Sequence, residues 1–71
     1  MAQTTQDHAR TATDQARIRL EGAFAERDRC RERYQLAIGT SSEMTAYLRL
    51  RDASTQVSAC DRELGRLLAI S

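Results

Sequence analysis

Small residues recur every seven positions along the first half of the chain, at Ala9, Ala16, Ala23, Cys30 and Ala37. After a short polar break the same step returns at Ala46, Ala53, Cys60 and Leu67. Other residues fall between them in alternating steps of four and three. The first stripe therefore reads Ala9, Thr13, Ala16, Leu20, Ala23, Arg27, Cys30, Tyr34, Ala37. The second reads Ala46, Leu50, Ala53, Val57, Cys60, Leu64, Leu67, Ser71. This spacing holds one side of an α-helix against a partner helix over several turns. A small side chain in each heptad lets the two backbones come close. The pattern predicts an all-α fold, an antiparallel two-helix hairpin with a coiled-coil-like seam of small residues.

Local signals place the ends of the two helices. Met1 to Gln6 is polar and reads as a frayed tail. Thr4 with Asp7, or Thr11 with Asp14, pairs a hydroxyl cap with an acid near the positive helix end. The earlier start is preferred because Ala9 and Arg10 already fit the register. Gly39 stands where a helix ends in the left-handed conformation, and Thr40-Ser41-Ser42-Glu43 fits a capping box. Helix 1 is thus expected over about 6–38, a turn over 39–41 and helix 2 over about 42–70, in a single domain spanning 1–71. Gly22 interrupts helix 1 at a cost of roughly 1 kcal/mol relative to Ala. It marks a close approach of another helix, a tolerated surface glycine, or a break that makes three helices.

Folding about so short a turn makes the helices antiparallel neighbours. It sets Ala37 opposite Ala46, Cys30 opposite Ala53, Ala23 opposite Cys60 and Ala16 opposite Leu67. Small faces small in most layers, and Leu20, Tyr34, Leu50, Val57 and Leu64 fill the layers between. On this register everything before about residue 11 projects past the end of helix 2.

Length bears on whether such a hairpin acts alone. Seventy-one residues make a small domain, whose core rarely supplies more than about 3–5 kcal/mol without staples or oligomerisation. Each helix of a hairpin buries only one stripe. A partner is expected, either a second copy that completes a four-helix bundle as a homodimer or a larger protein. Charge is nearly balanced, with 11 basic and 10 acidic residues, so bulk electrostatics single out no polyanionic partner. All the basic residues are Arg, whose planar head suits pairing with carboxylate or phosphate. The longest apolar run, Leu67 to Ile70, is far short of the roughly 20 residues of a membrane span. The N-terminal stretch lacks the apolar core of a secretory signal. Two cysteines make no disulfide framework, and a cytoplasmic location is expected.

Candidate chemistry is sparse. Cys30 and Cys60 lie a heptad apart along the docked hairpin, about 10 Å, beyond the roughly 7 Å Cα separation a disulfide spans. They read as packing residues, with an intermolecular disulfide or redox switch as the other reading. The only histidine, His8, is far along the chain from both thiols, so no metal site is expected. No Gly-rich phosphate loop, carboxylate dyad or oriented nucleophile is present, and no catalytic residue or cofactor is expected. Asp7, Asp14, Glu26, Asp28 and Glu63 each precede an Arg by three residues and read as ordinary helix-surface pairs.

The flank of helix 1 carries more information. Arg10, Arg17, Phe24, Arg31 and Ile38 recur every seven residues beside the seam. Tyr47 and Leu68 hold the corresponding positions on helix 2. Leu36, Met44 and Leu48 form a further apolar group near the turn. Arg27 falls in the seam itself, where an unpaired buried charge is costly. It is expected to reach the edge or meet an acid across an interface. The preferred reading is an interface in which Phe24 and Ile38 bury against another helix and the Arg stems cover the edge. The alternative is an RNA- or DNA-binding face, with Arg heads on phosphates and Phe24 against a base.

In its two helices, tight turn and alternating small and large seam, the chain resembles the Rop-type helical hairpins. Those are short plasmid-encoded proteins that dimerise into antiparallel four-helix bundles and bind RNA loop pairs. The resemblance is one of architecture and extends to no residue motif. It implies that an RNA-binding helix face is conceivable on such a scaffold. The expected function is that of a small non-catalytic interaction protein, a regulator or adaptor that acts by protein contact and self-associates.

Overall fold

A computed structural model gives two helices, α1 (Ala2–Ala37) and α2 (Glu43–Ile70), packed against each other along their length. It describes the backbone of residues 2–70 and the side chains of residues 11–70. The readings for Met1 and Ser71, and for the side chains of residues before 11, His8, Ala9 and Arg10 among them, lie outside the described residues. There is no strand among the described residues. The hairpin is a flat rod with Cα extents of 60 × 15 × 11 Å.

α1 begins at Ala2 rather than near residue 6. The reason is compositional, since Ala2 to Arg10 contains neither Gly nor Pro to stop a helix. At its other end α1 stops at Ala37, and Gly39 takes the left-handed conformation at φ 84°. Thr40 N–H then donates to the Ala37 carbonyl at 2.9 Å, which satisfies one of the free carbonyls of the last turn.

The start of α2 departs in detail from a capping box. Ser42 N–H donates to Thr40 Oγ1 at 3.2 Å, so Thr40 is the cap. The Glu43 carboxylate reaches back past Thr40 and accepts from Gly39 N–H at 3.2 Å. The Thr40 hydroxyl also donates to the Ala37 carbonyl at 2.6 Å. One side chain therefore ends α1 and begins α2, and this holds the two helices side by side.

The core is the seam. Among the described residues its buried side chains are Ala16, Cys30, Ala37, Ala53 and Val57, and no large side chain there is fully buried. Leu20, Ala23, Tyr34, Ala46, Leu50, Cys60, Leu64 and Leu67 are half-buried around them. Ala37 and Ala46 line one recess between the helices, and Cys30 and Ala53 line the next. Tyr34 packs its ring against Tyr47 with centroids 5.9 Å apart and planes tilted by 58°, a favourable geometry for two quadrupoles.

Gly22 lies inside the continuous α1 and is exposed, and a Cβ built there meets nothing within 4 Å. It is a tolerated surface glycine. It neither breaks the helix nor lets another helix of this chain approach.

Candidate interaction face

Folding the seven-residue repeat about the turn gives the hairpin two unlike broad faces. Positions one step after the small seam residues form the first: Arg17, Phe24 and Arg31 on α1 and Ile38 just past its end, with Tyr47, Ser54, Asp61 and Leu68 on α2. In an antiparallel pair these two flanks lie side by side. Positions one step before the larger seam residues form the second face, with Arg19, Glu26 and Arg33 beside Arg49, Gln56 and Glu63.

The second face is polar and grooved. One recess of about 390 Å³ is floored by Cys30 and Ala53 and walled by charged residues of both helices, among them Arg33, Arg49 and Asp52. Glu26 sits at its edge and accepts from Arg29 Nε at 3.0 Å. That hydrogen bond and the guanidinium charge hold the Glu26 carboxyl below the usual range for a glutamate. Cys30 Sγ donates to Glu26 Oε1 at 3.6 Å, and both cysteines are free thiols. Cys30 is buried and Cys60 half-buried in the seam, and the Cys30 thiol is tied to a neighbouring carboxylate. Among the described residues, no group of three or more His, Cys, Asp or Glu is placed to hold a metal. No helix is long and apolar enough to cross a membrane within that range.

The first face is the apolar one. Phe24 is 39% exposed, Ile38 55%, Tyr47 46% and Leu68 47%, so each keeps about half its surface in water. Beneath them the half-buried Leu20, Tyr34, Leu50 and Leu64 and the buried Val57 continue the apolar surface. By the same seven-residue step the exposed Leu36 and Leu48 fall on the outer sides of the helices, and Met44, 66% exposed, falls on the rim of this face.

Arg27 is the anomaly of this face. It lies across Phe24 with its guanidinium carbon 5.0 Å from the ring centroid, a cation–π geometry. Its Nη2 is 3.8 Å from Asp28 Oδ1, a long pairing with its own chain neighbour. Its Nε is buried and makes no hydrogen bond. Burying a donor without a partner costs about 1–3 kcal/mol, so a site of this kind favours whatever supplies an acceptor.

The expected i, i+3 pairs form only in part. Glu26–Arg29 and Glu63–Arg66 are present, the latter at 3.2 Å. Asp14–Arg17 and Asp28–Arg31 are not, because Asp28 turns to Arg27 instead and Asp14 stays in solvent. Arg17 and Arg31 thus carry no ion pair among the described residues. Asp61 also has no ion pair among the described residues, and the step Tyr47, Ser54, Asp61, Leu68 places it on the apolar face. Ser54 is already satisfied, since its hydroxyl donates to the Leu50 carbonyl at 3.0 Å.

Compared with family models, curated proteins and solved structures, the chain matches none of them.

Proposed function

We propose that this chain is a small, non-catalytic helical-hairpin interaction protein of the cytoplasm, a regulator or adaptor that works by protein contact and self-associates. The observation that carries the reading is the continuous apolar face of half-exposed Phe24, Ile38, Tyr47 and Leu68 over a seam that, among the described residues, buries just five side chains. Two helices packed along one stripe leave apolar surface in water, and covering it stabilises both the hairpin and the complex.

Phe24→Asp tests this directly. It places a charge at the middle of the face while sparing the seam, so helix content should persist. Light scattering should then show the assembly dissociated, or pull-down from the native host should lose its partner. A folded monomer whose associations ignore the substitution would refute the reading.

The unpaired Arg17 and Arg31 favour a second reading, an RNA- or DNA-binding hairpin that uses them together with Arg10 and Arg27. It requires affinity that falls steeply as salt rises, because each phosphate contact releases counterions. Absence of a shift with RNA or duplex DNA at low salt would remove it.

A further inference from the structure

We propose that a second copy of this chain covers the Phe24 face, docked with both turns at the same end so that α1 of each copy lies over α2 of the other. The proposal rests on the interaction reading above and adds the occupant, its orientation and the ion pairs that set it.

Area permits the occupant. α2 has 28 residues, a paired length of about 42 Å at about 1.5 Å per residue. With a width of 15 Å, the face covers about 630 Å² per copy, or about 1,260 Å² for two, within the roughly 1,200–2,000 Å² of stable interfaces. That figure is the projected area of the face with its whole paired length covered.

Charge selects the orientation. The strip of α1 on this face carries Arg17 and Arg31, with Arg27 at its inner edge, and no acid. The strip of α2 carries Asp61 and no base. One step further out the signs reverse, with Asp14, Glu21 and Asp28 on the rim of α1 and Arg51 on the rim of α2. Two copies with turns at opposite ends stack α1 on α1, basic strip on basic strip and acidic rim on acidic rim. Two copies with turns at the same end stack α1 on α2, so both strip and rim meet their opposites. Like charges across an interface cost affinity and unlike charges fix its register.

Levels along the rod agree with this. With Ala37 beside Ala46, Ile38 stands within two residues of the level of Tyr47, and Phe24 within two of Asp61, about 3 Å. In the same-end dimer Ile38 therefore meets Tyr47 of the second copy. Arg27 and Asp61 of the second copy are five residues apart in level, about 7.5 Å. Side chains lean toward the N-terminus of their own helix, and in antiparallel helices that moves these two groups together. The pairing supplies an acceptor for the guanidinium whose Nε is buried without one.

Charge reversal and a distance measurement test the proposal. In sedimentation equilibrium, Arg27→Asp alone and Asp61→Arg alone should each weaken dimerisation by about tenfold or more. The combined variant should return close to the parent value. A double variant weaker than either single one would overturn the pairing. Orientation is read without touching the face, on Ser41→Cys with Cys30→Ala and Cys60→Ala, spin-labelled at the turn. Same-end docking places the two labels within about 25 Å, given helix layers about 10 Å apart and two flexible label arms. Opposite-end docking separates them by about 40 Å, the length of α2. A dimer with the long distance overturns the orientation while the interaction reading stands. A monomer that still captures another protein through Phe24 overturns the second copy as occupant. A monomer indifferent to Phe24→Asp overturns the interaction reading itself.

Discussion

Ala53→Leu is the substitution that most directly interrogates the seam. Ala53 is 6% exposed and shares its recess with Cys30, which is 5% exposed. Leu adds three carbons at a point where two helices meet through two small side chains. Either the helices separate over that turn or the new side chain leaves its preferred rotamer. Overpacking of this kind costs about 1–3 kcal/mol. Against a core worth roughly 3–5 kcal/mol, that is a large fraction of the whole. At about 4–8 °C per kcal/mol for a domain of this size, a 2 kcal/mol loss lowers Tm by about 8–16 °C. The assay is thermal and urea denaturation followed by helical circular dichroism at several protein concentrations. Ala25→Leu is the control, because Ala25 is exposed on α1 and surface exchanges usually stay within about 0.5 kcal/mol. Equal melting of both variants, or a more stable Ala53→Leu, would show that the helices do not meet closely there and would refute the small-on-small register.

Two further outcomes follow from the same structure. The glycines should respond in opposite directions: Gly22→Ala, in open space within a helix, should stabilise by about 0.5–1 kcal/mol, whereas Gly39→Ala, at φ 84°, should destabilise by about 1 kcal/mol or more. Denaturant titration of both variants checks the pair. The Glu26 carboxyl should titrate below a free glutamate in an NMR pH series, because Arg29 hydrogen-bonds and charges its surroundings. Since its folded value is depressed, the stabilisation is present above the unfolded carboxylate range and is lost as pH falls through the folded value. Glu26→Gln should remove that part of the acid dependence, and an unshifted Glu26 titration would contradict the pairing.

The polar side-chain network was harder to read than the seam. Glu43 was legible as a residue that reaches back, yet it accepts from Gly39 N–H because the Thr40 N–H is already given to the Ala37 carbonyl. Asp28 was equally placed for Arg31 and took Arg27. A helical repeat states which residues share a face, but several long side chains then compete for each partner at nearly equal energy. That competition is decided by the surfaces around them.

By itself the seven-residue repeat determined the helical stripes, their antiparallel docking about Gly39, and the membership of Phe24, Ile38, Tyr47 and Leu68 in one flank. Those follow from helix periodicity and a short turn, which are local properties of the chain. Only the tertiary structure decided that Gly22 faces open space and that Arg27 lies over Phe24 with its Nε buried. These depend on how close the second helix comes and on which groups its flank leaves unsatisfied, quantities that arise only once both helices are docked.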